Sequence, residues 1–244
     1  MGDLFFENFG AGEESPPPGV FTEDVMGFPV IFGDSLNPTG DSVRYAMLRC
    51  DSMSSAVKDE SLRRALRDVF AKFALSVAPS PPRRLLILCL GNEKFCADSV
   101  GSETAKRIVS GKVGNGYAAI VKTGVPLSTG YHSAEIGAAM AKKLRCDLAV
   151  CIDSLAADKA DSLYRMIQLT DSGVAPGSGV SRHSEELSRY SLGIPVISVG
   201  IPTVTRSEDG RIITLAAAEE EVRCGGALIA HALNGYLATG YDGE

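Results

Sequence analysis

Two aspartates in this chain have surroundings that could turn a carboxyl group into a catalyst. Asp98 lies in the stretch LGNEKFCADSVG (90–101), beyond the apolar run LLILCL, and just ahead of a helical segment. Asp153 follows the apolar run LAVCI (148–152) directly. A carboxyl group beside apolar residues loses hydration, which makes its charge costly and moves its pKa. When two such groups approach, one keeps a proton while the other ionises, and the pair can activate water and protonate a departing amine. Each acid also has a purely structural use. Asp98 could cap the following helix, and Asp153 could accept bonds from the loop amides of Ser154 to Ala156.

A second stretch with chemical promise is DSGVAPGSG (171–179), from Asp171 through Gly177, Ser178 and Gly179. Its small residues permit positive φ and close backbone approach, so its amides could point at a carbonyl or an anion; an ordinary surface turn is the alternative. No Lys-Ser or Lys-Thr follows these glycines, so it is not a Walker phosphate loop. The three histidines, His132, His183 and His231, are isolated from one another, and no H-E-x-x-H spacing occurs. A metal site assembled from Asp98, Asp153 and His132 stays open, against a reading of His132 as an exposed helix start. There is no G-x-S-x-G elbow for a serine nucleophile. Cys151 sits inside an apolar run, where burial makes a thiol a poor nucleophile.

The elements that must position these groups follow from periodicity. Apolar residues at helical spacing over Asp59–Leu75 predict a helix, which Pro79, Pro81 and Pro82 stop. From residue 85 short apolar strands alternate with amphipathic helices: strands over 85–91, 116–124, 147–153, 162–169 and 194–202, and helices over 101–109, 132–145 and 181–190. A last helix covers 216–237, loosened at Gly225-Gly226. This grammar predicts an α/β fold, a mainly parallel sheet flanked by helices on both faces. In such folds functional groups collect beyond the carboxyl ends of the strands, the level at which both acids fall. The expected division is a loose N-terminal extension over 1–45, a helix and Pro-rich linker over 46–84, and the α/β domain over 85–240.

Composition narrows the function classes. Hydrophobic residues are 45% and charged residues 22% of the chain, a globular balance, and the net charge of −6 offers nucleic acid or anionic lipid no broad basic surface. The apolar stretch from Ala134 to Ile152 is interrupted by Lys142, Lys143, Arg145 and Asp147, which argues against a membrane span. The N-terminus lacks the basic segment and apolar run of an export signal. Six dispersed cysteines without a C-x-x-C pair read as reduced thiols of a cytoplasmic protein.

Read together, LGNEKFCADSVG (90–101), CIDSLAA (151–157), QLTDSGVAPGSGVSRHSEELS (168–188) and LGIPVISVGIPTV (192–204) resemble the germination protease family, endopeptidases that degrade small acid-soluble spore proteins. The resemblance covers about residues 85–206. It implies that Asp98 and Asp153 are the catalytic pair, that Asn92 and the Gly177-Ser178-Gly179 loop belong to the site architecture, and that no cofactor is needed. It further implies a fold like that of hydrogenase maturation proteases, a protein substrate and a homo-oligomeric, tetrameric assembly. Ala97 stands where the family usually has proline, His132 where it has glutamate, and Thr205-Arg206 where an acid follows the last motif.

Overall fold

A computed structural model describes residues 19–36, 42–124, 130–176 and 186–239. Among them, ten strands join in one mixed sheet. Its strands are β1 (Val20–Val25), β2 (Phe28–Leu36), β3 (Ser42–Arg49), β4 (Arg84–Cys89), β5 (Gly111–Val113), β6 (Gly116–Lys122), β7 (Leu148–Ala157), β8 (Met166–Thr170), β9 (Val196–Arg206) and β10 (Ile212–Ile213). The order is β1-β2-β3-β8-β9-β7-β4-β6-β5, with β10 on the end of β9. The helices are α1 (Met53–Ala56), α2 (Glu60–Val77), α3 (Val100–Ala105), α4 (Ser133–Leu144), α5 (Arg189–Leu192) and α6 (Ala218–Thr239).

The expected parallel grammar holds at the centre, where β6, β4, β7 and β9 run parallel. It fails at the flanks: β1, β2, β3 and β8 pair antiparallel up to β9, and β5 and β10 are antiparallel as well. The sheet is therefore mixed rather than mainly parallel. For β1, β2 and most of β3 the source is the segment where the loose extension was expected. Residues 20–36 and 42–49 are strands instead, folded into a meander whose last strand pairs with β8. Gly27 (φ +88°) turns β1 into β2, and Asp24 Oδ1 accepts its N–H at 2.9 Å. Val30, Ile31 and Phe32 enter the core through β2, although their continuous apolar run shows no alternation.

Helices do cover both faces. In β4 the alternation is strict: Leu85, Ile87 and Cys89 pack with α2, α3 and α6, while Leu86 and Leu88 pack with α4 and α5. In α2, Asp59 caps the start through Ser61 and Leu62 N–H, and Leu62, Leu66, Val69, Phe70 and Phe73 form the buried stripe. The C-terminal helix is unbroken at Gly225-Gly226, because both glycines are contact points. A Cβ on Gly225 would lie 2.4 Å from Ile201 of β9, and one on Gly226 within 2.8–2.9 Å of Glu103 and Thr104 in α3. Their lack of side chains presses α6 against both elements. Among the described residues no helix is long and apolar enough to cross a membrane.

Candidate active site at the carboxyl ends of the central strands

The chain leaves β4 through Gly91, which holds φ +91°, a conformation open to glycine. A Cβ there would lie 2.1 Å from the carbonyl oxygen of Asp98, so the loop can close only over a glycine. It closes through Asn92, whose N–H donates to both the carbonyl oxygen and Oδ2 of Asp98, each at 2.9 Å. Asn92 Oδ1 in turn accepts the N–H of Lys94 at 3.1 Å. The role of Asn92 is thus to shape the loop around the acid. Asp98 faces back into this loop, and no side chain caps the start of α3, so the simple capping reading of Asp98 does not hold. Burial pushes the Asp98 carboxyl above its usual range, opposed by the Asn92 N–H, which favours the anion.

Gly101 then fixes where this loop sits. A Cβ on it would lie 2.5 Å and 2.6 Å from Leu90 O and N, and 2.8 Å from Ile152 O. Leu90 N–H donates to Ile152 O at 2.9 Å, so α3 begins directly on the step between β4 and β7. Asp98 precedes that contact and Asp153 follows Ile152. The Asp98 loop is therefore seated where β4 ends against β7, one residue before Asp153 along β7.

Asp153 does not close its strand as expected. β7 continues to Ala157, paired with β9 throughout, so the acid sits inside the strand and is only 8% exposed. Its Oδ1 accepts Ser154 N–H at 2.9 Å, one of the amide bonds foreseen for a structural carboxylate. By register Asp153 shares a row with Gly200 of β9 and Gln168 of β8, and the next row on the same face holds Cys151, Ser198 and Thr170. Asp153, Gln168, Thr170 and Ser198 are all buried, which makes this end of the sheet polar on that face. Burial pushes the Cys151 thiol well up, in keeping with a core residue.

The other residues predicted from the sequence lie elsewhere or outside the described residues. Asp171 directly follows β8 and is bound to β3: its Oδ1 accepts Arg44 N–H at 2.7 Å and its Oδ2 lies 3.5 Å from Arg44 Nη1. Its carboxyl is raised by burial, against the Arg44 interactions. It ties the added meander to the core. His132 is exposed at the start of α4, where its N–H donates to Glu135 Oε2 at 3.2 Å. Gly177, Ser178 and Gly179, and the helix expected over 181–190 as far as residue 185, lie outside the described residues. The stem of that loop is described: Val174 and Leu187 exchange backbone bonds at 3.1 and 2.8 Å. Among the described residues no three His, Cys, Asp or Glu side chains converge as a metal site would require.

Sequence reasoning passed over Gly91, Gly101 and Gly200, and the polar Gln168 and Ser198. The available signal was a glycine at each end of the Asp98 loop and a polar residue at inward positions of two otherwise apolar strands.

Comparison with known proteins now adds the family. The family model for germination protease matches residues 42–214, starting well before residue 85, where the resemblance was read. The germination protease of Clostridium perfringens (strain SM101 / Type A) is 33% identical over 133 residues, which is 50% of this chain and 41% of that protein. That of Priestia megaterium is 32% identical over 176 residues, 66% of this chain and 47% of the relative. That of Clostridium acetobutylicum is 32% identical over 156 residues, 59% and 48% respectively. The chain thus matches less than half the length of these relatives. A NiFe hydrogenase maturation protease from Thermococcus kodakarensis superposes with a TM-score of 0.42 and 21% identity over 69% of this chain and 97% of that one. With the family model spanning β3 to the residue after β10, both aspartate motifs included, this chain belongs to the germination protease family.

Proposed function

We propose that this chain is an endopeptidase that hydrolyses small acid-soluble spore proteins with Asp98 and Asp153 as its working pair. The observation that carries the reading is the Gly101 contact, which seats the Asp98 loop on the Leu90–Ile152 step beside Asp153. Both acids are shielded from solvent and each accepts a backbone N–H, and we divide the roles between them as follows. Asp98, raised by burial, holds the proton: it polarises the scissile carbonyl and then donates to the departing nitrogen. Asp153, bonded by Ser154 N–H, takes the proton of the attacking water. The water adds to the carbonyl carbon, the C–N bond breaks, and the acid's proton leaves on the new amine. The reaction needs no cofactor or metal.

The substrate, a cytoplasmic location inside the spore and a homo-oligomeric, tetrameric state belong to this proposal and rest on the family. The assignment of Gly177, Ser178 and Gly179 to substrate binding is part of this proposal and rests on the family, and Asn92 shapes the acid's turn.

The test is cleavage of a small acid-soluble spore protein by the purified chain beside Asp98→Asn and Asp153→Asn, with and without chelator. Each variant should stay folded and lose about 10²–10⁴-fold in kcat, the range of general acid–base contributions, and chelator should change nothing. No cleavage by the folded parent, or full activity in either variant, sinks the reading. Loss on chelation would instead favour a metal-dependent peptidase.

A further inference from the structure

The turn that carries Asp98 also carries an aromatic ring that the core does not use. Phe95 stands three residues before the acid and is 50% exposed. It belongs to neither apolar cluster, whereas its neighbour Cys96 packs against one of them and Ala97 is buried. The main chain of Phe95 is fully engaged: its N–H donates to Asn92 O at 2.9 Å, and its carbonyl oxygen accepts Asp98 N–H at 2.8 Å. Phe95 is thus the shared corner of two successive turns, Asn92–Phe95 and Phe95–Asp98. A further tie holds the same loop to the end of β6, where Lys122 Nζ donates to Glu93 Oε2 at 2.7 Å.

Single apolar side chains are common on protein surfaces, and most need no explanation. Phe95 is set apart by its place. Among the described residues with large exposed apolar side chains, it is the one that shares a turn with either acid. The turn does not need the ring, since its bonds are made by main-chain groups and by the side chains of Asn92, Asp98 and Ser99. Nor does the backbone demand it, because φ −115° and ψ 105° suit any residue. What the turn does provide is a phenyl ring on a fixed main chain, which can bury apolar area on contact at a small cost in conformational entropy.

We infer that Phe95 is a specificity-determining contact, whose ring packs against an apolar side chain of the protein substrate beside the peptide bond being cut. The inference rests on the peptidase reading of Asp98. Because the Phe95–Asp98 turn is closed by a main-chain bond, a substrate side chain seated on the ring fixes which peptide bond reaches the acid. The partner is apolar because a phenyl ring has neither charge nor N–H or O–H groups to offer.

The experiment measures binding and cleavage of a small acid-soluble spore protein separately. Binding is measured by titration calorimetry on the full chain carrying Asp153→Asn, which leaves the Phe95–Asp98 turn untouched, with and without Phe95→Ala or Phe95→Leu. Cleavage kinetics and Tm are measured for the same Phe95 substitutions with Asp153 in place. Phe95→Ala should weaken binding and raise KM about tenfold at unchanged kcat and Tm, the loss expected for about half a phenyl ring's apolar area. Phe95→Leu should recover most of that loss, and mass spectrometry of the products should place an apolar residue beside the cut. Unchanged Kd and KM in Phe95→Ala overturn the inference, and so does a fall in kcat or Tm at unchanged Kd, which would make the ring a support of the turn. If the parent cleaves and Phe95→Ala binds and cleaves equally well, the contact fails and the peptidase reading stands. If the parent binds without cleaving and Phe95→Ala binds more weakly, the peptidase reading fails and the binding contact stands; a parent that does neither sinks both.

Discussion

Asp98 is the residue at which the proposed chemistry and stability oppose one another. Burial raises its pKa in the folded protein, so the folded state binds this proton more tightly than the unfolded chain does. Its contribution is therefore fully present in acid, below the unfolded carboxylate value, and is lost as pH rises through the folded value. Asp98→Asn keeps an acceptor for Asn92 N–H and cannot ionise. It should unfold at a higher Tm than the parent near neutral pH, with the gap closing as pH falls toward about 4, the ordinary carboxylate range. Calorimetry across that range checks the sign; a variant less stable at every pH would show that the carboxylate stabilises the loop. The same substitution is expected to abolish cleavage, the usual trade between stability and function. Of the predicted site residues, Asp98 and Asp153 could be read from the sequence because a polar residue next to an apolar run is a local signal. That Asp171 is held by Arg44 could not, since its partner is 127 residues away.

At the level of elements, α3 and α1 depend on contacts that no local pattern announces. Gly101→Ala would drive a methyl group into Leu90 and Ile152. Overpacking of this kind costs about 1–3 kcal/mol, and here it also lifts the Asp98 loop from the strand ends. We expect a lowered Tm together with a loss of cleavage larger than the stability change explains, measured on protein kept well below its Tm. The short helix α1 hangs on Glu221 of α6, a buried carboxylate that accepts Met53 N–H at 2.7 Å, Ser54 N–H at 3.1 Å and Ser54 Oγ at 2.7 Å. Glu221→Ala leaves those donors unpaired and should cost about 2–3 kcal/mol, read from denaturant unfolding. An unchanged midpoint would mean that solvent replaces the carboxylate. Periodicity found α2 and α4 within a few residues, but it could not show that Gly225-Gly226 is a contact rather than a break.

For the whole molecule, the meander β1–β3 is the largest feature to escape sequence reading. Its strands carry Gly, Pro and Asp, and their apolar runs lack the period of two, because β2 and β3 are covered on both sides. Removing residues 19–49 would bare the edge of β8, whose partner β3 it takes away. Exposed edges recruit other strands. The truncated chain should aggregate or elute as larger species in size-exclusion chromatography, whereas a soluble truncated chain of unchanged helicity would make the meander an appendage.

The amino-acid sequence by itself determined the central β-α grammar and the family, and nominated the two acids, because each is written in short segments: apolar runs, helical stripes and contiguous motifs. Tertiary structure alone decided that the sheet is mixed, that Asp153 lies within its strand, and that glycines 91, 101 and 200 are contact points. These depend on which strands lie side by side and how closely backbones approach. Such distances are set between residues far apart in the chain, where local periodicity carries no information.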